Sequence, residues 1–369
     1  MAIKAGLVGL PNVGKSTLFN ALTRSQVPAE NYPFCTIDPH IAITPVPDER
    51  LDFLAKVYGS KKIIPATVSF VDIAGLVQGA ASGAGLGNQF LSHISEVDLI
   101  IHVVRCFEDP DIILADRTAV DPVADYEIII SELMLKDIDT ISKRIPKVEH
   151  SIKSLRNDPV KLKEAQEELL FLRQLYTALE KGDSTKIQDM MRIAPPLGIS
   201  PLSGKNFLIV ANISESMLET YHTNHHYLSL VNRFGKERVI AISAKIEYEL
   251  TKLADADAQE MMSLMSMTRS GLVQIVQRTY DALGLITFFT CGPQEAHAWP
   301  IKKNTLVRKA AGEIHSDLER GFICAELFNY TDIVATGSEQ SVKETGRLRT
   351  EGADYVVQDG DILHVRFNV

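Results

Sequence analysis

Gly9-Leu10-Pro11-Asn12-Val13-Gly14-Lys15-Ser16-Thr17 follows directly on the apolar run Ile3 to Val8, and Thr17 to Thr23 continues as a helix candidate. The pattern G-x-x-x-x-G-K-[ST] between a strand and a helix leaves little freedom of local structure, because backbone N–H groups must turn inward around an anion. In that geometry Asn12, Val13, Gly14, Lys15, Ser16 and Thr17 cradle phosphates. Lys15 brings a cation to the outer phosphates, and the Ser16 hydroxyl is placed to ligate Mg²⁺. Further apolar, β-rich runs at Ala66 to Val71, Leu99 to Val104, Phe207 to Ala211 and Val239 to Ile242 alternate with helix-length stretches. An α/β sheet with crossovers is the fold class this predicts.

A chain of 369 residues exceeds one ordinary core, so more than one domain is expected. No apolar run reaches transmembrane length and no secretory signal is visible, which predicts a cytoplasmic protein with no membrane partner. The formal charge of -9 argues against a general nucleic-acid coat, so DNA is not an expected partner and any RNA contact must be local. Cys35, Cys106, Cys291 and Cys324 are spread without a C-x-x-C pair, which predicts reduced, packed thiols rather than a disulfide framework or a zinc ribbon. The histidine cluster at Tyr221 to His226 lacks a second ligand group and reads as a polar loop or helix start.

The gap between the runs at Leu99 and Phe207 is too long for one crossover. Within it Ile138, Ile141, Ile145, Val148, Ile152 and Leu155 repeat at steps of three and four, as do Leu162, Ala165, Leu169, Leu172, Tyr176 and Leu179. Asn157-Asp158-Pro159 between the stripes is a turn signal, and Gly182 follows the second as a helix end. An antiparallel coiled-coil hairpin is one reading; two ordinary helices packed on the main domain is the other. Pro146 should kink or break the first stripe. From about Gly284 the texture changes to short alternating runs around a helix candidate at Ala310 to Glu319, with a tight turn at Gln358 to Asp361 before a last strand. The resulting organisation is a nucleotide-binding domain at 1–128 and 206–282, an inserted helical domain at 129–205, and a small α+β domain at 283–369.

A phosphate loop is shared by kinases, ATPases and GTP switches, so the remaining elements must discriminate. Asp72-Ile73-Ala74-Gly75 ends the strand Val68 to Val71 and matches the D-x-x-G element of switch nucleotidases: Asp72 would act on Mg²⁺ through water, and the Gly75 N–H would bind the γ-phosphate. Thr36, placed between the phosphate loop and Asp72, is a candidate second hydroxyl ligand to Mg²⁺, with a surface threonine as the alternative. Leu76 stands where many switches carry the glutamine that orients water, so the water-orienting residue is unassigned. Hydrolysis must rely on another side chain, on a monovalent cation such as K⁺, on a partner, or on Mg²⁺ and Lys15 alone; Asn12 is a candidate potassium-site residue or a turn-former. His93 is a candidate only by proximity, and His102 in an apolar strand reads as a satisfied core residue.

Base recognition departs from the guanine pattern. Asn212-Ile213-Ser214-Glu215 stands where a guanine-specific switch carries N-K-x-D, so the lysine is lost and the aspartate is lengthened. Asn212 could reach adenine N7 and N6 and the Ile213 backbone could contact the adenine edge, which favours ATP. Ser243-Ala244-Lys245 matches the last base-proximal loop.

With these motifs in view, the chain resembles the YchF/Obg-like ATPase family over nearly its full length. The residues that carry the resemblance are Gly9 to Thr17, Phe34-Cys35-Thr36, Asp72 to Leu76, Gly85 to Phe90, Arg105-Cys106-Phe107-Glu108 and Asn212-x-x-Glu215; Ala310 to His315 and Gly360-Asp361 resemble its TGS module. The resemblance implies a P-loop NTPase domain of the Ras-like, Obg type, an inserted coiled-coil hairpin and a C-terminal β-grasp (TGS) domain. It also implies Mg²⁺-dependent hydrolysis of ATP in preference to GTP, and association with the ribosome through ribosomal RNA and proteins. The heptad stripes can close on each other within one chain, which suits a monomer. Family members commonly carry a histidine after the Arg-Cys-Phe-Glu stretch; Asp111 to Leu114 contain none, so no catalytic histidine is carried over. An Obg-type GTPase, in which Glu215 adapts to guanine, and an ATP-gated ribosome-binding module with incidental hydrolysis are the alternative functions.

Overall fold

The computed structural model describes residues 3–25, 40–73, 86–109, 119–155, 158–193 and 198–368, the side chains of 86–89 apart. Thr36, Gly75, Leu76 and Asp111 to Leu114 lie outside the described residues. The first part of the chain forms β1 (Lys4–Val8), α1 (Lys15–Arg24), β2 (Ile41–Pro45), α2 (Glu49–Tyr58), β3 (Lys62–Ile64), β4 (Thr67–Asp72), α3 (Leu86–Ser95) and β5 (Leu99–Arg105). There follow α4 (Pro122–Ser154), α5 (Pro159–Glu180), α6 (Ser184–Arg192), β6 (Asn206–Asn212), α7 (His225–Phe234), β7 (Val239–Ile242), α8 (Ala244–Leu250), α9 (Asp255–Leu264) and α10 (Gly271–Ala282). The last part holds β8 (Leu285–Cys291), β9 (Glu295–Lys302), α11 (Val307–Ile314), α12 (Ser316–Arg320), β10 (Phe322–Asn329), α13 (Tyr330–Thr336), α14 (Glu339–Glu344), β11 (Arg349–Glu351) and β12 (Asp361–Phe367).

One sheet runs β2-β4-β1-β5-β6-β7. Its members β1, β5, β6 and β7 pair in parallel, with Ala5 opposite Leu99, Leu99 opposite Asn206 and Ile209 opposite Val239. All seven residues of β5 are buried, as expected of a central parallel strand covered on both faces, and this is why the sequence there reads as a continuous apolar run. His102 on β5 is 1% exposed and sits with its ring 4.6 Å from Tyr126 and 5.9 Å from Phe207. It is a core residue, as expected, but not a satisfied one: its Nδ1 has no hydrogen-bond partner, and burial pushes its pKa down to about 3.

The inserted region is helical, and its two stripes meet. Ile141, Val148, Leu172 and Leu179 are buried in one cluster, with Ile138, Ile145, Ile152, Leu169 and Tyr176 packed against it. Arg144 bonds Glu168 at 2.7 Å and Arg173 bonds Glu149 at 2.7 Å across the pair. Both helices begin on the same signal: Asp121 and Asp158 accept from the backbone N–H three residues on, with Pro122 and Pro159 in the first turn. The helix α4 neither ends nor breaks at Pro146. A proline inside a helix costs about 3 kcal/mol, and buried contacts on both sides of it, at Ile141 and Val148, offset this. The return to the sheet is fixed by Asp137, 4% exposed, which accepts from the N–H groups of Leu202 and Ser203 at 2.8 Å and from the Ser203 hydroxyl at 2.6 Å.

Backbone contacts divide the chain into two units. One is Lys4–Ala21 with Val71–Gly271; the other is Met1–Ile3, Leu22–Phe70 and Leu272–Val369. The helical insertion is part of the first unit, with α4 beginning at Pro122. The second unit takes in residues 22–70, which the sequence places with the nucleotide-binding domain. The reason is local: β3 pairs in parallel with β9, Tyr58 donates to Glu339 at 2.9 Å, and Arg50 binds Asp359 at 2.6 Å. Its sheet runs β11-β10-β12-β8-β9-β3, with α11 over a core of Phe288, Ile301, Val307, Ala310, Leu327 and Leu363, the β-grasp arrangement. The turn before β12 is held by Asp361, 0% exposed, which accepts from Gln358 N, the Tyr355 hydroxyl and the Asn329 amide. The helix candidate near Ala310 resolves into two, α11 and α12, and the histidine cluster lies partly in the first turn of α7. Cys106 and Cys291 are buried and Cys324 is half-buried; all three are unbridged.

Candidate functional site

The phosphate loop leaves β1 at Gly9 and enters α1 at Lys15. Two residues in it adopt left-handed backbone, Asn12 at φ 64° and Gly14 at φ 93°. Asparagine tolerates that region better than most side chains, which suits it to the turn. Gly14 has a second constraint: a Cβ there would overlap the amide nitrogen of Asn212. Gly9 is held in the same way, since its Cβ would stand 2.7 Å from the Val103 carbonyl oxygen. Close approach constrains both glycines, and the positive φ of Gly14 adds a backbone demand of its own.

Lys15 and Asp72 meet in an ion pair, with side chains 11% and 20% exposed. The cation expected on the outer phosphates and the carboxylate expected near the metal are thereby brought to one point. Ser16 is exposed at the first turn of α1, and Thr17 beside it is half-buried. A hydroxyl and a carboxylate at the end of β4 are hard oxygen donors of the type Mg²⁺ takes, so these residues fit the ion. Among the described residues no group of three or more His, Cys, Asp or Glu side chains forms another metal cluster.

A cavity of about 1270 Å³ opens over the loop. Asn12, Gly14, Lys15, Ser16 and Thr17 line its phosphate end, while Asn212, Ile213, Glu215, Ser243 and Ala244 line the other. Val13 is 3% exposed and contributes its carbonyl, which accepts from the Asn212 amide at 2.9 Å. The opposite end of that amide accepts from Ala244 N at 3.0 Å. Asn212 is 5% exposed and ties the phosphate loop to the base loop, so both ends of its amide are engaged on backbone rather than held out toward a base. Ile213 is 2% exposed with its side chain in the core, and its N–H donates to Ile242 O at 2.8 Å. Glu215 forms an ion pair with Lys245.

Sequence reasoning did not assign Phe107, Glu108 or Asp109 to the site, although all three line the cavity, as does Lys245 of the Ser243-Ala244-Lys245 loop. Arg105 organises this wall: it is 3% exposed, donates to the carbonyls of Phe107 at 2.9 Å and Asp109 at 3.1 Å, and lies 4.8 Å over the Phe107 ring. The available signal was an arginine ending a fully buried strand, a position that requires polar partners in the loop beyond. His93, on α3, is exposed and does not line the cavity.

Residues 4–145 match a family model described as a 50S ribosome-binding GTPase, and residues 285–368 match the YchF GTPase C-terminal model, described as a protein of unknown function. The chain is 44% identical to the ribosome-binding ATPase YchF of Bacillus subtilis strain 168 and 40% identical to that of Escherichia coli O157:H7, covering 100% of both chains in each case. Its fold matches the structure of the Schizosaccharomyces pombe YchF GTPase at a TM-score of 0.84 and 36% identity, over 99% of this chain and 97% of that one. Similarity at this level spans the phosphate loop, the helical insertion and the C-terminal β-grasp together, and the chain belongs to the YchF family.

Proposed function

We propose that this chain is a Mg²⁺-dependent P-loop nucleoside-triphosphate hydrolase that takes ATP in preference to GTP and docks on the ribosome. The observation that carries the reading is the cavity itself: Lys15 paired with Asp72 at one end, and at the other Glu215 with no lysine at position 213. Curated relatives are named ribosome-binding ATPases, whereas the similar yeast structure is titled a GTPase, so the base preference rests on the residues of this chain.

In this reading Lys15 and the N–H groups of residues 12–17 hold the phosphates, and Ser16, Thr36 and Asp72, the last through water, hold Mg²⁺. The ion when bound neutralises charge developing on the β and γ oxygens. The Gly75 N–H contacts the γ-phosphate. Leu76 has no atom with which to orient water, so unaided turnover is slow, and K⁺ at Asn12 or a ribosomal contact supplies assistance. The insertion at 129–205 and the domain at 283–369 present docking surfaces for ribosomal RNA and proteins to a monomeric cytoplasmic protein. No described helix is long and apolar enough to cross a membrane.

Calorimetric titration of the full chain with non-hydrolysable ATP and GTP analogues, with and without Mg²⁺, tests the first half. Tighter binding of the ATP analogue, weakened by removing Mg²⁺, is expected; a clear preference for GTP would overturn the base assignment. Co-sedimentation with ribosomes in ATP, ADP and nucleotide-free conditions tests the second, and docking indifferent to nucleotide would remove the switch.

A further inference from the structure

We propose that His226 is a positioning residue for nucleotide binding: it tethers the Glu108 carboxylate to α7 and so keeps a negative charge out of the space that the triphosphate occupies. The inference rests on the triphosphate site of the proposed function and is independent of which base is bound.

Phe107, Glu108 and Asp109 line the same cavity as Asn12, Gly14, Lys15, Ser16 and Thr17. The backbone of this wall is fixed from two sides. Arg105 binds the carbonyls of Phe107 and Asp109, and Asn224, the N-cap of α7, donates its amide to the Cys106 carbonyl at 3.4 Å. These bonds give the Glu108 side chain no hold, and it is 68% exposed. With rotation about three side-chain bonds, a free glutamate there sweeps across the mouth of an anion site. His226, in the first turn of α7, supplies the hold: its Nε2 stands 3.4 Å from the Glu108 Oε1.

The histidine is a firm anchor. Its side chain is 8% exposed, the His225 ring lies 3.8 Å away, and the next residue, Tyr227, is buried and donates its N–H to the Asn224 cap at 3.0 Å. Burial, with His225 beside it, pushes the His226 pKa below its ordinary 6.5 despite the nearby Glu108 and Asp121 carboxylates, so the ring is neutral at pH 7. A carboxylate only accepts, and the neutral ring therefore donates from Nε2. One end of this hydrogen bond is fixed in the protein and the other is a solvent-facing charge on the cavity wall. Such a contact adds little to folding, but it sets where the charge sits. The ligand is a polyanion, and like charges closer than a Debye length of about 10 Å repel it.

The test is calorimetry on the full chain with a non-hydrolysable ATP analogue and with ADP, in Mg²⁺, for wild type, H226F, H226Q, E108Q and H226F/E108Q. His226→Phe fills the ring volume and removes the donor; it should weaken the ATP analogue about threefold to tenfold, the range of one hydrogen bond, and ADP, with less charge, by a smaller factor. His226→Gln keeps an N–H donor and should regain most of the loss. Glu108→Gln removes the charge itself and should tighten the ATP analogue by up to about threefold. The double variant should then bind as E108Q does, because no charge is left to restrain. If H226F costs as much in the E108Q background as in wild type, or costs ADP as much as the ATP analogue, His226 acts through packing and the inference is overturned. E108Q alters an exposed side chain and folds whatever becomes of H226F; weaker binding by E108Q would show that Glu108 attracts the ligand, and overturns it as well. A wild type that binds triphosphate with H226F unchanged overturns this inference alone. A wild type that binds neither ATP nor GTP analogues overturns it together with the nucleotide reading.

Discussion

The contact between Gly14 and Asn212 predicts a non-additive thermodynamic cycle. Asn212→Ala removes the donor from the Val13 carbonyl and the acceptor from the Ala244 N–H, at a position 5% exposed. Each orphaned buried group costs about 1–2 kcal/mol, so the single change should destabilise the chain by roughly 2–4 kcal/mol. Gly14→Ala places an L side chain at φ 93°, which costs about 1–2 kcal/mol, and its Cβ overlaps the Asn212 amide nitrogen. That overlap drives the amide away from Val13 and forfeits one of the same hydrogen bonds, adding about 1–2 kcal/mol. In the double variant that bond is already gone and the methyl group has room. The combined loss should therefore fall short of the sum by about 1–2 kcal/mol. Urea unfolding of wild type, the two single variants and the double variant at pH 7 measures the coupling. Additivity within about 0.5 kcal/mol would show that the two residues do not share the contact, and the account of Gly14 as a close-approach glycine would be wrong.

Two further outcomes follow from buried polar groups. His102 takes up a proton near its ordinary pKa of 6.5 when unfolded and only near 3 when folded. The unfolded state then binds more protons between those values, so stability present above pH 6.5 is lost as pH falls, by about 1.4 kcal/mol per pH unit at most. His102→Phe, which also removes the unpartnered Nδ1, should flatten that acid limb and match or exceed wild type at pH 7 in urea titrations at pH 7 and pH 5; an unchanged pH slope would place the titration elsewhere. In the C-terminal domain, Asp361→Ala removes the acceptor used by Gln358 N and the Tyr355 hydroxyl at a fully buried position and should lower stability by roughly 1–3 kcal/mol, whereas a cost under about 0.5 kcal/mol would mean that the turn is held by other contacts.

Much of this was legible along the chain because it depends on residues close together in sequence. The G-x-x-x-x-G-K-[ST] run, the Asn157-Asp158-Pro159 turn signal and the heptad stripes on either side of it each combine a short-range geometric demand with a residue type that meets it. The helix runs on through Pro146 without a break, because the cost of one missing donor is local while the packing that offsets it comes from another helix. His102 was placed correctly in the core, yet no sequence pattern could reveal that its Nδ1 lacks a partner, since that depends on which rings from β6 and α4 close around it.

The sequence by itself determined the class of ligand and the order of the elements that meet it, since phosphate binding is built from consecutive backbone N–H groups and needs no distant partner. Tertiary structure alone decided how the end of the cavity away from Lys15 is wired. Asn212 spends its amide on Val13 and Ala244, Arg105 shapes the Phe107 wall, and Lys245 falls on Glu215 because parallel strands β6 and β7 deliver their following loops to the same edge of the sheet. It also decided that residues 22–70 group with the C-terminal domain, through β3 on β9 and Arg50 on Asp359. Hydrogen bonds and ion pairs between loops remote in sequence leave no periodicity behind, and only the fold that juxtaposes them makes them readable.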